Sequence, residues 1–296
     1  MTVLNTPSDG SFNVLVVLFR ALIDLGPTEQ NELLAFCSAG LPEQPQRLKD
    51  TLNRWSELGL FKDTEGRISL AEEFKIPKSR DCAVHELPSF IRRLVFQRDN
   101  NERFWDSEGS KSADLTRGMA WLLAQDIYTT RVGDTAAIQE LESRQLADPT
   151  RRLVRNSTRL EALRVWGLAL GFLWNAGDPM VDPTTAIGED LPLIFGSSAE
   201  LNAADLHTRI AAVLPVLDGG TYRMQVEGAL DAASWRRPSS PEFLSTALSR
   251  ALWRLNDQGH LTLEHRSDAG IIRVLQRANG REWMTFSHAR IATRSA

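Results

Sequence analysis

The stretch Ser240-Pro241-Glu242-Phe243-Leu244-Ser245-Thr246-Ala247-Leu248-Ser249-Arg250-Ala251-Leu252-Trp253-Arg254-Leu255-Asn256-Asp257-Gln258-Gly259 carries the pattern on which the architecture turns. Ser240 reads as an N-cap with Pro241 at the first helical position. Leu244, Ala247, Leu248, Ala251, Leu252 and Leu255 then recur at the spacing of one buried helix face. Gly259 stands where a left-handed residue would close the helix. Strand-like runs follow at 261–265 and 271–275, and Asn279-Gly280, a type I′ turn pair, leads into 282–286. Upstream, Asn202 can cap a helix over 203–217 that Asp218-Gly219-Gly220 closes, and Thr221 can open a second over 222–230.

The same order of elements occurs at the other end of the chain. Val14, Leu15, Val17, Leu18, Ala21, Leu22 and Leu25 make a nearly continuous apolar helix that Gly26-Pro27 breaks. Thr28 can cap a second helix over 29–37, and a loop with Gly40, Pro42 and Pro45 leads to a third over 46–58, striped by Leu48, Leu52 and Trp55. Gly59 ends it, and two short strands flank a Glu65-Gly66 turn. Shifting by two hundred positions lays Leu48, Leu52, Arg54 and Gly59 on Leu248, Leu252, Arg254 and Gly259. Three helices and a hairpin in this order predict a winged helix-turn-helix, whose third helix commonly enters the DNA major groove.

Between the repeats the pattern is helical. Helices are expected over 87–95, 114–128 and 135–146, with a polar loop over 98–111. Thr158-x-x-Glu161 has the form of a capping box opening an apolar helix over 159–174. Asp182-Pro183 can start another helix, which Leu191-Pro192 would end. The fold class is therefore mainly α (α+β), with winged-helix domains over 1–75 and 201–296 flanking a helical middle domain over 76–200.

The chain has 296 residues, 42% hydrophobic and 24% charged, which excludes disorder as the overall state. Cys37 and Cys82 make neither a disulfide framework nor metal-ligand spacing. Residues 1–11 lack a secretory signal, and the apolar run 160–174 is too short to span a bilayer, so a cytoplasmic protein with no membrane association is expected.

Net charge is −4 overall but unevenly spread: −4 over 1–75, −5 over 76–235 and +5 over 236–296. Affinity for DNA rests largely on cationic contacts to phosphate. The candidate DNA-binding residues are Arg250 and Arg254 on the third helix of the C-terminal module, Arg236 and Arg237 before it, and Arg266, Arg273, Arg277 and Arg281 around its wing. Each could instead be solvated or paired with Glu242, Asp257 or Glu264. The corresponding face of the N-terminal module, with Gln46, Arg47, Asp50, Asn53, Arg54 and Glu57, is neutral and better suited to a protein partner. Arg151, Arg152, Arg155, Arg159 and Arg164 read as a solvated face, and Trp166 and Trp174 as packing residues.

Catalytic patterns are absent. The chain contains no phosphate-binding glycine loop, nucleophile elbow or metalloprotease helix. His260 and His265 flank a strand without a third ligand, and Asp63 with Glu73-Phe74-Lys75 only echoes a metal-dependent nuclease core. The expectation is a non-enzyme with no cofactor and no metal.

Leu4-Asn5-Thr6-Pro7-Ser8-Asp9-Gly10 running into the 14–25 helix, Leu52-x-x-Trp55-x-x-Leu58-Gly59, the 166–174 segment and Asp182-Pro183-Thr184 together resemble the DpdG family. That family belongs to bacterial gene clusters that place 7-deazaguanine derivatives in DNA and restrict unmodified DNA. The resemblance implies a restriction-side role in phage defence beside helicase and nuclease partners, and it brings no catalytic residues. Three functions follow as expectations. The chain could be a non-enzymatic subunit of such a complex, touching double-stranded DNA with its C-terminal module and other subunits with the rest. It could be a transcriptional regulator acting as a homodimer, or an adaptor with no DNA contact.

Overall fold

The computed structural model describes residues 3–4, 12–38, 45–76, 83–106, 111–154, 156–267 and 270–292. Residues 5–10 of the opening motif, the Gly40-Pro42 loop, part of the 98–111 loop and Arg155 lie outside the described residues. The chain divides into two compact units, Met1–Leu115 and Thr116–Ala296. The expected boundaries after 75 and 200 each fall inside a unit. The described residues form eleven α-helices and ten short strands, and the strands pair antiparallel in four small sheets. None of these helices is long and apolar enough to cross a membrane.

The first unit contains α1 (Phe12–Leu25), β1 (Thr28–Glu29), α2 (Gln30–Ser38), α3 (Pro45–Leu58), β2 (Phe61–Thr64), β3 (Arg67–Leu70) and α4 (Ala83–Val95). Leu15, Leu18, Phe19, Leu33, Leu48, Leu52 and Trp55 bury the facing stripes of α1 to α3. Gly59, at φ +101°, closes α3 by donating to the Trp55 carbonyl, the left-handed conformation the sequence position requires. Glu65 and Gly66 both have positive φ, as a type I′ hairpin turn demands. Thr28 does not cap the second helix. It pairs with Ile68 across β1 and β3, giving strand order β1-β3-β2, and its hydroxyl bonds the Glu32 carboxylate at 2.8 Å.

α5 (Ala113–Leu123) spans the division between the units. The second unit continues with α6 (Thr135–Gln145), α7 (Ser157–Ala169), β4 (Leu173–Asn175), β5 (Pro179–Val181), α8 (Thr184–Phe195), β6 (Glu200–Asn202), α9 (Ala203–Val213), α10 (Thr221–Glu227), α11 (Thr246–Asp257), β7 (Leu261–Glu264), β8 (Arg273–Gln276), β9 (Glu282–Phe286) and β10 (His288–Ile291). A buried amide relay holds its helical part. The Trp121 indole donates to Gln145 (2.9 Å), Gln145 to Gln125 (2.8 Å), and Gln125 back to the Trp121 carbonyl (2.8 Å). Buried Glu142 accepts from the Leu153 and Val154 amides, so its charge is hydrogen-bonded where water is excluded.

Several expected elements differ from those observed, each for a local reason. α11 begins at Thr246, not near Glu242, because the backbone of 242–244 bonds Val274 on both sides. Ser245 is the cap, accepting from the Leu248 amide. The helix expected over 159–174 stops at Ala169, since Gly171 turns left-handed at φ +74° and Trp174 passes into β4; its cap is Asn156 rather than Thr158. Pro192 lies inside α8 without ending it. α9 ends at Val213, four residues short of expectation. The partner of β7 is β10, a strand the sequence pattern did not suggest, while β8 pairs with β9.

The second repeat is also framed differently. Its sheet has order β6-β10-β7, so the last strand lies central, as β3 does in β1-β3-β2. α8 precedes β6 and packs against both α9 and α11, and α10 lies in the connection from α9 to α11.

Candidate nucleic-acid interface

α11 presents two faces by periodicity. Leu248, Ala251, Leu252 and Leu255 are buried, and Arg250, Trp253 and Arg254 fall on the opposite side at three- and four-residue spacing. That side is not bare. From Thr246 through Asn256 no side chain of α11 is fully exposed. The β4–β5 hairpin, where Trp174 pairs with Met180, covers one flank, and the β8–β9 hairpin covers the other.

Rings and guanidiniums interleave there. Trp253 stacks on Trp283 with centroids 4.5 Å apart and planes 25° from parallel. Arg277 lies 4.7 Å from the Trp283 ring, Arg254 5.5 Å from Trp174, and Arg250 5.4 Å from Tyr128. These separations are those of cation–π contacts. Tyr128, Trp174, Met180 and Trp283 with the outer face of α11 enclose a cleft of about 880 Å³. Beyond the shared wall of Trp174, Arg254 and Gln258 lies a second depression of about 590 Å³, lined by Thr184, Thr185, Glu189 and His260. Trp174 remains 46% exposed and Tyr128 37%.

The eight arginines singled out in the sequence do not converge on one surface role. Arg250 and Arg277 line the cleft. Arg254 also lines it, but its Nη1 is bound to the Asp182 carboxylate, which is almost wholly buried and also accepts from the Thr184 amide and hydroxyl. Arg266 forks onto Glu200 at 2.9 and 2.7 Å and reaches Glu264 at 3.1 Å, the bidentate geometry that a guanidinium favours. Arg290 joins the same cluster. Hydrogen bonds from Arg266 and then Arg290 pull Glu200 down to about 2, and Glu200 in turn raises Arg266 above its ordinary value. Arg266 thereby ties β6 to β7 around central β10. Arg273 is half-buried and donates to the Ile272 carbonyl. Arg236 and Arg281 are exposed, and Arg237 is exposed with Glu227 at 4.0 Å.

In the first unit Arg54 turns inward onto Glu57 at 3.4 Å, while α3 exposes Gln46, Lys49, Asn53 and Glu57. The outward face expected there is thus corrected: Arg54 leaves it, Arg47 and Asp50 are half-buried, and Lys49 joins it. The aromatic half of the cleft was not anticipated, since Trp174 was expected to pack within a helix. One signal was readable: Trp253 lies off the apolar stripe of its own helix, between two arginines. Among the described residues no group of three or more His, Cys, Asp or Glu side chains is placed to hold a metal ion.

A family model described as DpdG-like matches residues 1–269. No curated protein and no solved structure matches the chain.

Proposed function

The chain belongs to the DpdG-like family, and from that premise we propose that it is a non-enzymatic, nucleic-acid-contacting adaptor of the Dpd DNA modification and restriction system. The connectivity shared by the two three-stranded repeats supports reading both as winged-helix modules. In this reading the second module touches nucleic acid through Arg250 and Arg277, with Arg236, Arg237 and Arg281 adding long-range attraction. Arg254 and Arg266 hold the module together. The first module, with its mixed-charge α3 face, meets protein subunits of the complex.

The observation that carries the proposal is the interleaving of guanidiniums and aromatic rings along the outer face of α11. The same observation disfavours an operator-reading regulator. A recognition helix needs its outer face clear to enter a groove about 12 Å wide, and here two hairpins flank that face.

A salt titration of binding to a duplex oligonucleotide tests the proposal. For wild type, log K should fall steeply against log salt. In R250A and R277A the slope should shrink by about 0.9 for each phosphate no longer neutralised. Exposed Arg103 in the first unit, changed to alanine, should leave the slope unchanged. Absent or salt-insensitive binding to the duplex and to its separated single strands alike would overturn the proposal in favour of an adaptor without nucleic-acid contact.

A further inference from the structure

We infer that the cleft between α11 and the two hairpins takes unpaired nucleotides of a single DNA strand rather than the surface of a duplex. The inference rests on the proposed nucleic-acid contact and deepens it by naming the form of the ligand. Its basis is the kind of surface the cleft offers. A duplex presents phosphates and base edges, while its base faces are hidden in the stack. Rings in a concavity therefore gain little from it. A single strand presents phosphates together with flat base faces, and aromatic side chains beside arginines suit both parts.

Three features of the cleft match that ligand. Trp174 and Tyr128 are large rings left substantially open to solvent, brought to the cleft by separate segments of the chain. Each already has a guanidinium against it, so a base reaching the ring would also lie close to a cation. The lining carries Arg250, Arg254 and Arg277 against the single carboxylate of Asp257. Arg254 is neutralised by Asp182 beneath it, which leaves Arg250 and Arg277 as the cations available to a phosphate. Trp253 stacked on Trp283 makes a stiff floor rather than a collapsible one. An acidic peptide would use the cations but not the open rings, and an apolar helix would use the rings but strand the cations. A single strand uses both.

The test uses the full chain and a fluorescein-labelled 20-mer of oligo(dT), free or annealed to oligo(dA), read by anisotropy at fixed salt. The single strand should bind more tightly than the duplex. W174A and Y128A should each weaken single-strand binding about tenfold, the scale of one base–aromatic stack, and should change duplex binding little. R250A and R277A should each lower the single-strand salt slope by about 0.7. Both ring variants alter half-exposed side chains, and the second keeps the test decisive should the first misfold. Millimolar dTMP should compete poorly, because it offers one base and one phosphate; strong competition would point to a free-nucleotide site and overturn the inference. Duplex binding as tight as single-strand binding, or ring variants without effect, would also overturn it while leaving the proposed function standing. Binding of neither form would remove both.

Discussion

Replacing Arg254 with alanine should destabilise the second unit far more than an exposed arginine change, because it strands a buried carboxylate. The Asp182 side chain is 1% exposed and has three donors: the Thr184 amide, the Thr184 hydroxyl and the Arg254 guanidinium. Only the last carries charge. Breaking a fully buried ion pair from one side costs about 3–5 kcal/mol. Arg254 is 31% exposed, so water reaches the site and the cost falls to the bottom of that range or just below it, about 2–3 kcal/mol. Removing the cation from the face of Trp174 adds roughly 0.5 kcal/mol. The total of about 2.5–3.5 kcal/mol corresponds, for a unit of this size, to a fall of about 5–14 °C in melting temperature.

D182N should cost less, about 1 kcal/mol, since it leaves an acceptor for Thr184 while the freed guanidinium turns to water. The double variant should then be more stable than R254A alone, as the stranded charge is gone. Urea unfolding followed by tryptophan fluorescence measures all three. An R254A penalty below about 0.5 kcal/mol, or a double variant no better than R254A, would refute the reasoning.

Other consequences follow from the same structure. Q145L removes the acceptor of the Trp121 indole and the donor to Gln125, leaving two buried polar groups unpaired, and should cost about 2–4 kcal/mol in urea unfolding. G219A places a Cβ 2.9 Å from the His207 ring at a backbone φ of +75°, and should lower stability by about 1–3 kcal/mol, read the same way. Burial is the main cause holding His207 below its ordinary 6.5, so the unfolded chain takes up a proton first. Melting temperature should therefore fall as pH drops below about 6.5, and H207N should flatten that fall. Glu200 is depressed as well, but as a carboxylate held by cations. Its contribution is present above 4.5 and disappears as pH falls toward about 2, so acid unfolding of E200Q should lose that part of its dependence on pH.

The one polar identity between the two repeats, Arg54 against Arg254, shows how sequence similarity can mislead about role. Both arginines turn toward a carboxylate, Glu57 in one repeat and Asp182 in the other. On a helical wheel each counts as outward, because a wheel knows the angle of a Cα and not where a long side chain folds back. The helix that opens after Asp182-Pro183 was expected to end at Pro192 and to belong to the middle region, yet it runs on to Phe195. Pro192 looks like a helix end from sequence, but α8 carries it inside its last turn and packs against both α9 and α11.

What could be read from the residues alone was whatever depends on near neighbours. The stripes of α3 and α11, the left-handed glycines at 59 and 259, the positive-φ turns at Glu65-Gly66 and Asn279-Gly280 and the Asn202 cap are all local, set by side-chain period and backbone sterics. Pairings between distant segments were not legible: β7 with β10, Asp182 with Arg254, or Tyr128, Trp174 and Trp283 around α11. Each joins segments far apart along the chain, and no local periodicity records which of many apolar or charged side chains a fold will bring together. The cleft exists only because those distant segments close on one helix.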